Sequence, residues 1–135
     1  MTAQEKTMTV MRLTPNLCTD DVESCVKFWV ERMHFEITAE VPDGGRTVFA
    51  ALQKGTTELM YGTYASLEKD PDVAKSYQRG TGFLFIEVDD LDAVVDAMKG
   101  VPTVAPVHQT FYGSTEFTLK DPAGHLITFA QFAKP

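Results

Sequence analysis

Basic residues are scarce in this chain. Twelve lysines and arginines stand against 19 aspartates and glutamates, for a formal net charge of −7 over 135 residues. Nucleic acid rewards basic patches, so this balance argues against a nucleic-acid partner and mildly favours cationic ligands over anionic ones. Long apolar runs are lacking as well. No stretch approaches the roughly 20 residues of a membrane-spanning helix, which argues against a membrane partner. Residues 1–10 have neither the basic region nor the apolar core of a signal peptide, so the expected location is the cytoplasm. Cysteine is limited to Cys18 and Cys25, without a C-x-x-C spacing or a histidine close in sequence. Both are read as small buried apolar residues rather than as nucleophiles or ligands.

What the chain does have is a patterned last third. Lys120-Asp121-Pro122-Ala123-Gly124-His125 reads as a tight turn: Asp121 opens it, Pro122 presets φ, and Gly124 suits a positive φ. A strand follows, with Ile127 and Phe129 on one face and Leu126, Thr128 and Ala130 on the other. A strand of the same kind occurs at 56–62, where Glu58 takes the place of Thr128.

In chain order, residues 10–18 form a strand candidate with Pro15 inside it, which suggests an edge or a bulge. Thr19-Asp20-Asp21 supplies helix-capping oxygens. Val22, Cys25, Val26, Trp29, Val30 and Met33 then recur at the spacing of one apolar helix face. Strands follow at 34–38, 47–53 and 56–62, separated by turns at Pro42-Asp43-Gly44-Gly45 and Lys54-Gly55. Residues 63–80 are a polar connector with one short helical possibility. The order then repeats. A strand at 81–88 is apolar on both faces and so reads as central. Asp89-Asp90 caps a helix presenting Leu91, Val94, Val95 and Met98, and Gly100 ends it. Extended segments at 103–110, 114–120 and 126–132 complete the unit, with a turn at Tyr112-Gly113. Asp20-Asp21 and Asp89-Asp90 lie 69 positions apart, and Glu58 and Thr128 lie 70 apart. A near-constant offset across several kinds of element indicates an internal duplication.

The repeated strand-helix-strand-strand-strand order resembles the vicinal oxygen chelate superfamily, which includes glyoxalase I, bleomycin-resistance proteins and extradiol dioxygenases. The motifs that carry the resemblance are Asp21-Val22-Glu23-Ser24 running into Phe28-Trp29, then Thr57-Glu58-Leu59, then Glu87-Val88-Asp89-Asp90-Leu91-Asp92, and the D-P-x-G turn Asp121-Pro122-Ala123-Gly124 with His125. They run from about residue 11 to 132. The resemblance implies an α+β fold: two βαβββ modules, residues 10–62 and 81–132, joined by 63–80 within one domain of 1–135, forming half-barrels around a cleft. It also implies a homodimer, in some members with halves paired across chains.

Metal enzymes of this family place a ligand on the first and fourth strand of each half. The matching positions are Thr14, Glu58, Phe83 and Thr128, of which only Glu58 is a ligand type. A phenyl ring cannot ligate, a threonine hydroxyl serves first-row metals poorly, and a catalytic divalent ion needs about three protein ligands. The expectation is therefore no metal, no cofactor and no assigned catalytic residue. The resemblance is strongest to the bleomycin-resistance branch, which sequesters drugs without chemistry. The alternative is a lyase, isomerase or dioxygenase with a non-standard metal site.

Alternation defines the expected lining: Thr14, Asn16 and Cys18; Glu58 and Met60; Phe83, Phe85 and Glu87; Thr128 and Ala130. Leu17, Leu59, Tyr61, Leu84, Ile86, Val88, Ile127 and Phe129 face the helices, and Trp29 belongs to the core. His34 follows the first helix, and His125 follows the D-P-x-G turn in a structural or solvated place. His108, in an arm over the cleft, is the histidine worth following. The ligand-binding candidates are Thr14, Asn16, Glu58, Met60, Phe83, Phe85, His108, Tyr112 and Thr128, for a small organic molecule such as a cationic antibiotic or a toxic metabolite. Glu58 must be neutralised, paired or wetted. The readings are a pair with Arg46 or another base across the sheet, contact with water, a ligand anchor, or a general base.

Overall fold

A computed structural model describes residues 6–133. Its elements are β1 (Asn16–Thr19), α1 (Val22–Met33), β2 (Glu36–Asp43), β3 (Arg46–Lys54), β4 (Thr57–Thr63), α2 (Tyr64–Leu67), α3 (Pro71–Ser76), β5 (Phe83–Glu87), α4 (Leu91–Ala97), β6 (Thr103–Gln109), β7 (Ser114–Lys120) and β8 (Leu126–Phe132). Two four-stranded mixed sheets result, ordered β1-β4-β3-β2 and β5-β8-β7-β6. In each, the strand before the helix returns parallel to the last strand of its module, and the other pairings are antiparallel. This is the α+β architecture of two βαβββ modules.

The duplication extends to the helix caps. Asp21 and Asp90 both sit at φ −140°, ψ 91° and accept a hydrogen bond from the backbone N–H three residues on, each at 3.1 Å. Ser24 Oγ also donates to Asp21, at 2.6 Å, and this bond is the main cause holding the Asp21 carboxyl below its ordinary value. At the other end of α1, His34 adopts the left-handed conformation at φ 58° while its N–H donates to the Val30 carbonyl.

Three expectations need correction. β1 begins at Asn16, not at residue 10; Pro15 lacks an N–H, but its carbonyl accepts from Met60 N at 2.9 Å and so extends the parallel ladder by one bond. The connector holds two short helices, α2 and α3, rather than one. β5 is an edge strand, not a central one. Its apolar character on both faces has another origin. Leu84 and Ile86 pack on the core, whereas Phe83 and Phe85 stand 64% and 51% exposed.

The core draws on both modules. Val22, Cys25, Phe28 and Trp29 of α1, and Leu91, Val94 and Met98 from the second helical segment, cover the helix-facing residues Leu17, Leu59, Tyr61, Ile127 and Phe129. Val95 stays partly exposed instead. Trp29 and Phe129 approach with ring centroids 6.3 Å apart, which joins the halves.

A polar chain crosses the same boundary. Trp29 Nε1 donates to Tyr61 Oη at 2.8 Å, and Tyr61 Oη donates to Asp121 Oδ2 at 2.6 Å. Asp121 Oδ1 accepts from the backbone N–H groups of Ala123 and His125. His125 Nδ1 then accepts from Gly82 N at 2.7 Å while Nε2 donates to the Cys18 carbonyl at 2.7 Å. His125 is thus structural. It fastens the start of β5 to the end of β1, and the space beside Gly82 is so tight that a Cβ there would lie 2.9 Å from Leu17.

Burial, reinforced by the Asp121 charge, pushes the Tyr61 phenol far above its ordinary value, so it remains a donor. Tyr61→Phe removes the hydroxyl that serves both Trp29 and Asp121. It is expected to destabilise the fold by about 1.5–3 kcal/mol, the range for a buried hydrogen bond to a charged group. Denaturant unfolding of the variant checks this; an unchanged midpoint would show that the chain carries no stability.

Candidate functional site

Strand alternation turns one face of each sheet toward the helix-covered core, and the nine expected ligand-binding residues fall into two groups on the opposite faces, one per sheet. On the second sheet that face is exposed at Phe83 and Phe85 but closed over Thr128, which is 3% exposed. No hydrogen bond, ion pair or ring contact among the described residues joins the two groups.

On the first sheet, Thr14 Oγ1 donates to Glu58 Oε2 at 3.0 Å, and Arg12 Nη1 lies 3.1 Å from Glu58 Oε1. Asn16 stands opposite Met60 in the parallel pair, and Met60 stands opposite Ala51. The base that meets Glu58 is therefore Arg12 rather than Arg46. Arg46 reaches toward Asp21 instead, at 4.0 Å, because its place at the start of β3 puts it beside the helix cap. The Glu58 carboxylate is mostly covered, at 16% exposure, while Arg12 is largely in solvent.

On the second sheet, Phe85 stands opposite Thr128, whose hydroxyl shares a 2.7 Å hydrogen bond with Thr118. Phe83 stands opposite Leu126, one register step from Thr128's neighbour. His108 faces Glu116 across the β6–β7 pair, and its Nδ1 donates to the Pro106 carbonyl at 2.8 Å. Tyr112, in the turn between β6 and β7, donates its hydroxyl to Glu116 Oε2. Ser114 Oγ donates to the same oxygen at 2.7 Å. The bond to Glu116 raises the Tyr112 phenol above its ordinary value. Phe85, Phe132, Tyr112 and Phe111 form a run of rings with successive centroids 6.4, 6.2 and 5.1 Å apart.

Sequence reasoning missed Glu116. It lies on the third strand of the second half, outside the first and fourth strands where the resemblance places the ligand positions. The signal was there in the alternation of β7. Phe117 and Leu119 claim the core face, which leaves Ser114, Glu116 and Thr118 together on the other.

The donor set does not fit a divalent metal. Glu58 is tied to Arg12 and Thr14, Thr128 spends its hydroxyl on Thr118, and Phe83 has no donor atom. Among the described residues, no group of three or more His, Cys, Asp or Glu is arranged to hold an ion. A thiol nucleophile is equally unsupported: both cysteines are buried, and burial pushes the Cys25 thiol up to about 12. Two larger cavities lie outside both groups. One of about 750 Å³ sits between the end of α1 and α4, lined by Arg32, Phe35, Ile86 and Val94. Another of about 470 Å³ lies beside the start of α4, near Leu91, Thr115 and Gln131. None of the nine expected residues lines either cavity. No described helix is long and apolar enough to cross a membrane.

Comparison with known proteins places this geometry. The chain superposes on TioX from Micromonospora sp. ML1 with a TM-score of 0.69 at 19% identity, covering 92% of this chain and 100% of that one. TnmS3, an antibiotic binding protein from Streptomyces sp. CB03234, gives a TM-score of 0.72 at 18% identity, covering 95% and 100%. Lactoylglutathione lyase from Agrobacterium tumefaciens gives 0.71 at 18% identity, covering 93% and 95%. At these identities the likeness is one of fold, and it spans a binding protein and an enzyme alike. A search of the curated proteins finds no match. A family model matches residues 10–129, nearly the whole described chain, and by that match the chain belongs to the Glyoxalase/Bleomycin resistance protein/Dioxygenase superfamily.

Proposed function

We propose that the chain binds a small organic molecule on the open faces of its sheets, without a metal, and sequesters it rather than transforming it. The observation that carries this reading is the state of the four positions where metal members of the fold concentrate their ligands: Thr14, Glu58, Phe83 and Thr128. One carboxylate is there, and it is already engaged by Arg12 and Thr14. Beside the first two positions lie Asn16 and Met60 on the first sheet, and beside the other two lies Phe85 on the second, with Tyr112 and His108 further along that sheet. An apolar lining with a few placed polar groups is the usual make-up of a small-molecule site. The antibiotic binding protein TnmS3 shares the fold and supports a ligand of that general class. The negative net charge suits a cationic one.

In this reading Glu58 is a hydrogen-bonding anchor. Its charge is balanced by Arg12, so it presents a paired carboxylate and guanidinium to polar groups of the ligand. A cation would have to displace Arg12 to gain full benefit from it.

We also infer that two copies associate. The open faces and edge strands expose Phe83, Phe85, Val104 and Val107, and Val41 of the edge strand β2 is likewise 47% exposed. Apolar surface on unpaired strands is a template for association, and a second copy is the economical way to cover it.

Three outcomes are expected. Metal analysis after incubation with Ni, Zn, Mn and Fe should give no stoichiometric tight ion, and Phe83→His should not create one, because Thr14 and Thr128 remain poor ligands. A tight ion in the unaltered chain would overturn the metal-free reading and favour a metal-dependent lyase, isomerase or dioxygenase. Glu58→Gln should lower affinity for charged and neutral ligands alike, by less than about tenfold, and change stability by under about 1 kcal/mol, since Arg12 is largely solvent-exposed. Calorimetric titration with ligands found in a thermal-shift screen of cationic and neutral antibiotics and metabolites checks this; a loss confined to cationic ligands would contradict it. Light scattering at micromolar concentration should show a species of twice 15.0 kDa, and a solution holding only the 15.0 kDa chain would rule out the dimer.

A further inference from the structure

Among the described residues, Glu116 and Asp121 are the buried carboxylates without a counter-charge, and only Glu116 has an oxygen with no hydrogen-bond partner. Glu116 lies mid-way along β7 and is 7% exposed. Both of its hydrogen bonds, from Tyr112 and Ser114, fall on Oε2. Oε1 has no partner among the described residues, and no described lysine or arginine pairs with either oxygen. Every fully enclosed side-chain polar atom among the described residues has a hydrogen-bond partner, so Oε1 faces an opening and not the packed interior. His108, directly across the β6–β7 pair, makes neither a hydrogen bond nor an ion pair to the Glu116 carboxylate; its one side-chain hydrogen bond among the described residues runs from Nδ1 to the Pro106 carbonyl.

The surroundings specify what would fill it. Ala130 stands opposite Glu116 on β8 and is fully covered, so the accessible side of the carboxylate is the one toward the exposed rings. Ser114 stands opposite Phe132, so that ring flanks the carboxylate on the same face. Phe85, Phe132 and Tyr112 continue as a run of rings along this face, with Phe85 and Tyr112 about half exposed. A carboxylate taken out of water without a counter-charge is costly, and a cation on the ligand offsets that cost. Aromatic faces attract the same cation and stack on an aromatic body attached to it. Glu58 lacks this capacity because Arg12 already occupies it.

We propose that Glu116 with the Phe85–Phe132–Tyr112 rings forms a subsite for a protonated amine attached to an aromatic body. The proposal rests on the small-molecule reading above and names both the charge and the anchor of the ligand. The ammonium N–H groups would donate to Oε1, and the aromatic body would lie along the rings.

The test is an NMR titration of the full-length 15N-labelled chain with 2-phenylethylammonium and, separately, with its neutral counterpart 2-phenylethanol. The ammonium should shift the amides of Tyr112, Glu116 and Ala130 and bind at least about tenfold more tightly than the alcohol, as a charge-assisted bond requires. Glu116→Gln should abolish that preference, and Glu58→Gln should leave it intact. Phe85→Leu should keep the preference while weakening ammonium binding by about two- to tenfold through loss of a ring face. Phe85→Leu serves as the independent variant if Glu116→Gln does not fold, and an unchanged ammonium affinity in it would overturn the subsite. Equal affinity of the two probes would overturn it too, as would shifts confined to the first sheet or a preference lost in Glu58→Gln and retained in Glu116→Gln. Those last results sink the Glu116 subsite alone. The sequestering function stands or falls on the metal analysis and the ligand screen.

Discussion

Asp121 is buried at the junction of the two halves, and its charge is met by the Tyr61 hydroxyl and by the backbone N–H groups of Ala123 and His125. Much of the architecture depends on that arrangement. The D-P-x-G turn closes around the carboxylate, which orients His125. The imidazole can then reach Gly82 on one side and the Cys18 carbonyl on the other. Tyr61 passes the network to Trp29 at the centre of α1. One polar chain thus ties a helix, two parallel strand pairs and a turn, inside an otherwise apolar core. Such a network is favourable only when every member is satisfied, and here every enclosed polar side-chain atom among the described residues is.

Three carboxylates illustrate how environment assigns role. Asp121 is enclosed with all its bonds supplied by the chain, so it has nothing left to offer a ligand. Glu58 is partly covered, with a guanidinium and a hydroxyl beside it, and its charge is balanced before any ligand arrives. Glu116 is more covered than Glu58, yet only hydroxyls meet it, and both choose the same oxygen. Hydroxyl donors stabilise a carboxylate without cancelling its charge. The difference between Glu58 and Glu116 is thus one of counter-charge rather than of burial.

The sheets divide their labour in the same way. The helix-facing sides of both contribute to one shared core through Trp29 and Phe129. The opposite side of the second sheet covers Ser114, Glu116, Thr128 and Ala130 but leaves aromatic residues of its edge strand in solvent. β5 is the sharpest case, because Leu84 and Ile86 are partly buried against the core while Phe83 and Phe85 stand mostly exposed.

The periodicities and the punctuation of the chain were enough to establish the duplication, the order of the eight strands and the two main helices, the helix caps at Asp21 and Asp90, and the core face that includes Trp29, Tyr61 and Phe129. Those features depend on short-range physics: side-chain alternation along a strand, apolar spacing along a helix, and a carboxylate beside free N–H groups. The neighbourhood of Thr14 with Glu58 was legible for the same reason, since a duplicated strand order implies which strands lie side by side. Tertiary structure alone decided that Arg12 and not Arg46 meets Glu58. It also decided that β5 lies at an edge, that His125 is a fastener between halves, and that Glu116 is covered without a counter-ion. Each of these depends on contacts between segments distant in sequence, where distance and solvent access set the electrostatics, and alternation within a strand carries no information about what crosses from the next one.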